Sequence, residues 1–461
     1  MSYTPYMVYT IKFTSFSNYC HGVGLLVTNI KTVKKSTCLS NGVVVATEEI
    51  PGVYSGSIGV WLDIGSRDET VATNGVSHLF EHMAFKGTVT RSGLEIVKTL
   101  EAAGGQINAF TTKEHTCFYA KVMGPKTPLA LEILTEMVFQ PALKKQELSK
   151  EKEVIIEELR GCDDNPDERV YDLFGEALFS NQKLGFPIAG TVKSVSALSQ
   201  ETLLAHAKKI RERVPVYIVA VGNVSHSEVI SIVKRMTRHI KVGVSNRTKT
   251  KTIPQRIIKR SKVLYSHSSI LEKKDIHQAN LMLGGPSFAV DNKKCFPLII
   301  LNNILGDGMS SRLFQKLRED YGCVYHINTY SEALMHAGLF GISFSTEPKH
   351  LVETLKLISG ELKALKQEGI SEDELEFAIE NLSGSFLLDM ESTQSRMTFL
   401  ARLKMRSGII NSPQRYLKAL KNVTRTEVQD VIHEVLDSRK WAIAAVLPKG
   451  KCPSLKKYLD F

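Results

Sequence analysis

The sequence predicts an α+β protein assembled from two similarly built halves, and three observations lead there. Short Val- and Ile-rich runs bounded by glycine, such as 43–46, 57–64 and 216–221, read as strands. Blocks with a 3.6-residue apolar period separate them and read as helices. The chain also lies over itself. At an offset of 225, Leu198-Ser199 meets Val423-Thr424 and 216–221 meets 441–446 without a gap. At an offset near 222, 57–64 meets Ala279–Pro286.

Taken in order, the first half opens with strands at 43–46 and 57–64. A helix follows from about Ser77, with Ser77 itself as a suitable N-cap. Residues 107–122 are strand material, and 146–161 is a strong helix, acidic at its start. A helix after Ser199 and the strand 216–221 close the half. The second half repeats the plan with a strand at 279–283, a helix over about 295–304, and strands at 324–329 and 339–345. Helices then lead to the last strand, 441–446. Both closing helices begin with a cap, Ser199 in one and Thr424 with Glu427 three residues later in the other. Hairpin-like strands next to blocks of helices give the α+β class. The expected domains are an N-terminal extension over 1–36, a first domain over 37–240, a basic linker over 241–262 and a second domain over 263–461.

Composition bounds the function. The chain has 461 residues, 43% apolar and 23% charged, ordinary values that exclude wholesale disorder and collagen-like structure. The longest apolar runs, such as 43–46 or 441–447, fall far short of the ~18–20 residues a membrane helix needs. The net charge is +11 and the pI near 9.1, which raises the question of nucleic acid. Eight basic and no acidic residues sit in 241–262, however, so one stretch carries most of the excess. Without interleaved aromatics it reads as a solvated linker. The seven cysteines form no C-x-x-C pair, which points to a reducing compartment rather than a disulfide framework. The first 36 residues carry four lysines and no Arg, Asp or Glu, and match neither a secretory signal nor an Arg-rich mitochondrial presequence.

The chemistry concentrates in His78-Leu79-Phe80-Glu81-His82. Residues i and i+4 share a helical face, so both imidazoles can aim at one point, with Glu81 beside them. With 13 His and 33 Glu in the chain, chance supplies about 0.03 copies of H-x-x-E-H. Two neutral imidazoles and a carboxylate suit Zn²⁺, which then needs a third protein ligand and keeps a place for water. In the helix 146–161, Leu148, Ile155 and Leu159 define the apolar stripe. Glu151 lies about 40° and Glu158 about 60° from Ile155, on the core side, whereas Glu153 and Glu157 face water. Inward carboxylates are costly unless paired with a basic side chain or a cation. Two His and one carboxylate also describe a non-haem iron facial triad.

HLFEH, with Glu158 in EKEVIIEEL 76 residues after His82, resembles the inverted-motif zinc peptidases of the M16 (pitrilysin/insulysin) family. The nearest branch is the two-domain one, of bacterial processing-protease-like enzymes and the β subunit of mitochondrial processing peptidase. NGVSHLFEHMAFKGT, GGQINAFTTKEHTCFYAKV, GFPIAGT and GDGMSSRLFQKLREDYGCVY extend the resemblance over roughly 36–461. It implies two homologous α/β-sandwich-like domains and one zinc per chain held by His78, His82 and Glu158. Glu151 is implied to support the site from behind. The implied activity is endopeptidase cleavage of short or unfolded polypeptides by a metal-activated water, with Glu81 as general base. Arg318 and Tyr325, seven residues apart, match the family's substrate contacts from the second domain. Asn108, Ala109 and Phe110 match its substrate-pairing edge strand. Read as residues alone, Arg318 is a surface helix residue, Tyr325 a strand aromatic and 108–110 plain strand.

At an offset of 222, His78, Glu81 and His82 fall on Ile300, Asn303 and Ile304, so the second half has no metal chemistry. A closed chamber of the family kind needs a second chain, which implies a homodimer or a heterodimer with a related chain. No nucleic-acid or membrane partner is expected. The bacterial-type motifs favour a cytoplasmic enzyme, with the mitochondrial matrix as the alternative. A catalytically inactive scaffold is the competing reading within the family; loss of a ligand is its usual mark, and none is lost.

Overall fold

The computed structural model describes residues 32–180, 182–240, 263–407, 412–450 and 454–461. The linker 241–262 and residues 1–31 of the expected extension lie outside the described residues. The last part of that extension is not separate, because Val33–Cys38 forms the first strand.

In the first half, β1 (Val33–Cys38), β2 (Val44–Glu49), β3 (Ser55–Leu62), β4 (Gln106–Thr111), β5 (Thr116–Met123) and β6 (Val216–Gly222) form one sheet. Its order is β1-β2-β6-β3-β5-β4. In the second half, β7 (Ser269–Lys274), β8 (Ala279–Pro286), β9 (His326–Leu334), β10 (Ala337–Thr346) and β11 (Ala442–Pro448) form another, ordered β7-β11-β8-β10-β9. The two orders match strand for strand once β1 is set aside. Each sheet has one parallel pair, β2 with β6 and β7 with β11, and is otherwise antiparallel. The expected strand material at 107–122 is a hairpin, broken by a turn in which the Thr112 N–H donates to the His115 carbonyl at 2.7 Å.

The helices of the first half are α1 (Val76–Ala84), α2 (Gly93–Ala102), α3 (Thr127–Phe139), α4 (Lys145–Asp164), α5 (Pro166–Phe179), α6 (Val192–Ala197), α7 (Gln200–Arg213) and α8 (His226–Met236). Those of the second are α9 (Cys295–Gly306), α10 (Arg312–Phe314, running into a π-turn at Gln315–Asp320), α11 (Leu351–Glu368), α12 (Glu372–Asp389), α13 (Thr393–Ser407), α14 (Pro413–Lys421) and α15 (Arg425–Val435). No helix among the described residues is long and apolar enough to cross a membrane.

The strand period of two puts Val43, Val45, Ile58, Val60, Ile218 and Ala220 on one face, against the helices of their own half. The opposite face shows Val44, Ala46, Trp61, Tyr217, Val219 and Val221, and it is covered from the other half, by Met397, Leu400 and Ala401 of α13. The second sheet reciprocates. Val170, Leu173, Phe174, Ala177 and Leu178 of α5 cover Met282, Ala442, Ala444 and Val446. Each half thus lends one helix to its neighbour's sheet, and each exchange carries an ion pair. Arg396 of α13 donates to Glu48 of β2 at 2.8 Å, and Arg169 of α5 donates through Nε to Glu272 of β7 at 3.0 Å. Trp61 Nε1 donates to Met397 Sδ at 3.3 Å, and Ser57 meets Thr393 at 2.9 Å. Buried strands on both faces explain why the central segments are continuously apolar.

Candidate metal centre

α1 begins at Val76 rather than after Ser77. Gly75 stands at the cap with φ 93°, and a Cβ there would come within 2.7 Å of the Ala189 carbonyl oxygen, so glycine is required. Leu79, Phe80 and Met83 are fully buried and fix the rotation of the helix about its axis. That rotation turns His78 and His82 outward together, with ring centroids 4.6 Å apart.

α4 crosses beside α1. Its buried stripe of Leu148 and Ile155 brings Glu151 and Glu158 to the α1 side, while Glu153 and Glu157 are exposed. His78, His82 and Glu158 each offer a ligand atom, and these atoms lie within 4.8 Å of one another. His82 Nε2 stands 3.5 Å from Glu158 Oε2. Its Nδ1 meets Glu151 Oε2 at 3.2 Å, and Lys86 Nζ holds the other Glu151 oxygen at 2.5 Å. Glu81 Oε2 accepts from the Thr111 hydroxyl at 2.5 Å.

Burial and neighbouring charge set the protonation states. Burial, reinforced by His82, pushes His78 down to about 3, so it stays neutral. Burial lifts the Glu81 carboxyl to about 7 against the Thr111 hydrogen bond. Burial also works against a charged His82, but the Glu151 hydrogen bond and the charges of Glu158 and Glu81 outweigh it and hold its pKa up. Glu158 is raised by burial. Glu151 is buried too, yet its hydrogen bonds from His82 and Lys86 prevail and its pKa is lowered. His78 Nδ1 is buried with no hydrogen-bond partner, a state that costs about 1–3 kcal/mol unless a cation or donor meets it.

The family model described as Insulinase (Peptidase family M16) matches residues 44–192, and the one described as Peptidase M16 inactive domain matches 197–382. A Bacillus subtilis protein named Uncharacterized zinc protease YmxG is 35% identical over 92% of this chain and 100% of its own length. The chain belongs to peptidase family M16. An uncharacterized zinc protease of Streptomyces coelicolor is 33% identical over 91% of this M16 chain and 89% of its own. Two solved structures show the same fold. One, a peptidase M16 inactive domain from Pseudomonas fluorescens, has a TM-score of 0.82 at 19% identity, covering 91% of this chain and 99% of that one. The other, a protease from Helicobacter pylori, has a TM-score of 0.81 at 21% identity, covering 90% and 100%.

The remaining expected site residues of the M16 chain lie further out. Asn108, Ala109 and Phe110 are on β4, the outer strand of its sheet. Phe110 packs edge-on against Trp61 at 5.5 Å. Arg318 sits on the π-turn, its guanidinium 4.9 Å from the Phe314 ring and 5.7 Å from the Tyr325 ring. Tyr325 is largely exposed. Among the described residues, neither Arg318 nor Tyr325 has a hydrogen bond or ion pair with the His78 group. Sequence reasoning missed Lys86 and Thr111. Lys86 is i+4 from His82, a spacing that could have flagged it. Thr111 gave no local signal, since its role depends on how the edge strand passes α1.

Proposed function

We propose that this chain is a zinc-dependent endopeptidase acting on short or unfolded polypeptides. One observation carries the reading: His78, His82 and Glu158 converge within 4.8 Å, with the Glu81 carboxyl one turn away on the same helix. Two neutral imidazoles and a carboxylate that leave a place for water are the donor set of catalytic zinc. The nitrogen, nitrogen and carboxylate donors of these three side chains fit a divalent cation. Zinc, when bound, lowers the pKa of a water and polarises the scissile carbonyl. Glu81 accepts the proton of the attacking water and returns it to the leaving amine. Thr111 fixes the orientation of that carboxyl. Glu151 orients His82 through Nδ1, and Lys86 neutralises Glu151 in turn.

The substrate backbone adds to the free edge of β4 at Asn108, Ala109 and Phe110, where main-chain pairing tolerates many sequences. Phe110 is turned onto Trp61, so its backbone rather than its ring does the pairing. Arg318 and Tyr325 supply donors to the substrate carbonyl from the second half, and a second M16 chain closes the chamber. The names of the zinc-protease relatives support the reading. The test is digestion of a peptide library by purified protein of known metal content, with and without a chelator. Zinc-dependent cleavage that the chelator abolishes is the expected result. Iron in place of zinc, or cleavage indifferent to chelation, defeats the proposal. Light scattering should report a dimer.

A further inference from the structure

The N-terminus of α1 is closed by a residue seven positions upstream of its first residue, and no side-chain cap comes from Gly75 at its N-cap. Glu69 is buried, and both of its carboxyl oxygens are taken. Oε1 accepts from the Ser77 N–H at 2.8 Å, and Oε2 accepts from the Gly75 N–H at 2.8 Å and from Asn74 Nδ2 at 3.0 Å. Both oxygens act as acceptors, and these bonds work against the burial that pushes the Glu69 carboxyl up. Helix starts leave N–H groups that need acceptors, and Gly75 has no side chain to offer one. The His78 side chain leaves the helix one residue beyond Ser77.

The turn that carries Glu69 is itself anchored to the second half. Arg67 pairs with Glu114 in the interior and donates to the Met335 carbonyl at 2.9 Å. The Met335 N–H donates back to Glu114 at 3.0 Å. Met335 lies at the tip of the β9–β10 hairpin. Residues 67 and 69 therefore join the hairpin of one half to the metal-facing helix of the other.

We propose that Glu69 is a positioning residue of the metal centre: its carboxylate sets the start of α1, and so the aim of His78, against a turn fixed by the second half. This rests on the zinc reading above. It requires that Glu69→Gln, which turns an amide N–H₂ toward a backbone N–H donor, weaken zinc binding more than it disturbs the fold. Partners that orient ligands from behind are worth about tenfold or more in metal affinity.

The test is zinc affinity by competition with a chelating dye for wild type, Glu69→Gln, Glu69→Asp and Glu69→Ala, alongside the thermal midpoint of each apo protein. A roughly tenfold loss in the Gln variant with partial recovery in the Asp variant is expected. Wild-type zinc affinity in a folded Gln variant overturns the proposal, since a merely structural role lowers the midpoint without moving the affinity of the folded protein. Hydrogen exchange on the wild-type apo protein adds an arm that needs no metal and no variant. The Gly75 and Ser77 amides are expected to be protected, and free exchange there overturns the proposal even if a variant fails to fold. If the wild type binds no zinc, the peptidase reading fails, while the exchange arm still reports on the cap.

Discussion

Helices α1 and α9 occupy equivalent places above two sheets of the same strand order, and among the described residues only α1 contributes to a group of side chains able to hold a metal. Where α1 sets His78, Glu81 and His82, α9 sets Ile300, Asn303 and Ile304, all three buried. Where α4 brings Glu158 to α1, α12 brings Asn381 to α9, and Asn303 Nδ2 donates to Asn381 Oδ1 at 3.1 Å. The helix starts differ as well. α1 has the Glu69 carboxyl beneath it, whereas the residue at the cap of α9 is Lys294, with no side-chain cap. The frame therefore forms without the carboxylates. In the second half, apolar side chains and an amide pair fill the same space at low cost. In the first, several acidic groups are held near one another out of water, which is unfavourable without a cation.

The sharpest way to break the comparison is Glu81→Gln. A general base removed from an otherwise intact site should lower kcat about a thousandfold. Zinc content should stay at one per chain, because Glu81 is not among the three side chains that converge. Peptidase assays beside metal analysis check both halves of the statement. Near-normal turnover in the variant would remove Glu81 from its proposed role.

The exchanged helices are next in size. Phe174 of α5 is almost fully buried against the second sheet, and Leu400 of α13 against the first. Phe174→Ala should cost about 4 kcal/mol and Leu400→Ala about 3 kcal/mol, the loss expected for such cavities. Because each side chain packs on the other half's sheet, both variants should lower a single unfolding transition in urea. Two separated transitions would mean that the halves do not depend on the exchange.

That exchange marks the limit of what the residues disclose. The duplication was legible, since buried strands leave apolar runs and the offsets near 222–225 bring β6 onto β11 and β3 onto β8; the strand order within each sheet was not. The inward lean of Glu151 and Glu158 was legible too, because 100° per residue fixes a face once Leu148 and Ile155 define the core side. The strands β1 and β7 were not. VKKSTC and SILEKK lie at sheet edges, where exposed positions take charge and no apolar run forms. An apolar stripe on α5 says that something covers it, but not which sheet. The caps of α1 were misread for a similar reason: Ser77 has the right chemistry for an N-cap, yet the acceptor comes from Glu69, which only the folded turn brings near.

The two cross-half ion pairs should separate by burial. Glu48 is nearly inaccessible, and Arg396→Met still leaves it Lys34 at 3.6 Å. Glu272 is more open to water when Arg169 is lost. Arg396→Met should therefore cost about 2 kcal/mol, below the usual range for a broken buried pair because Lys34 remains. Arg169→Met should cost about 1 kcal/mol or less. Urea midpoints at low and high salt check the order, and the Arg169 pair should be the more salt-sensitive of the two. Equal losses would mean that burial does not distinguish them.

The smallest effect is expected where the second half answers the metal centre. Asn303→Ala removes the donor to Asn381, but Asn381 is exposed and its oxygen can turn to water. The loss should be about 0.5 kcal/mol, the low end of the net worth of one neutral hydrogen bond. Zinc stoichiometry and kcat should be unchanged, since Ile300 and Ile304 offer no donor atoms. Restoring an acid there, as Asn303→Glu, should add no second metal for the same reason, because a lone carboxylate lacks the imidazoles that make α1 a ligand face. A second zinc bound by that variant would mean that one acidic side chain on this frame is enough, and that the difference between the halves is narrower than six side chains.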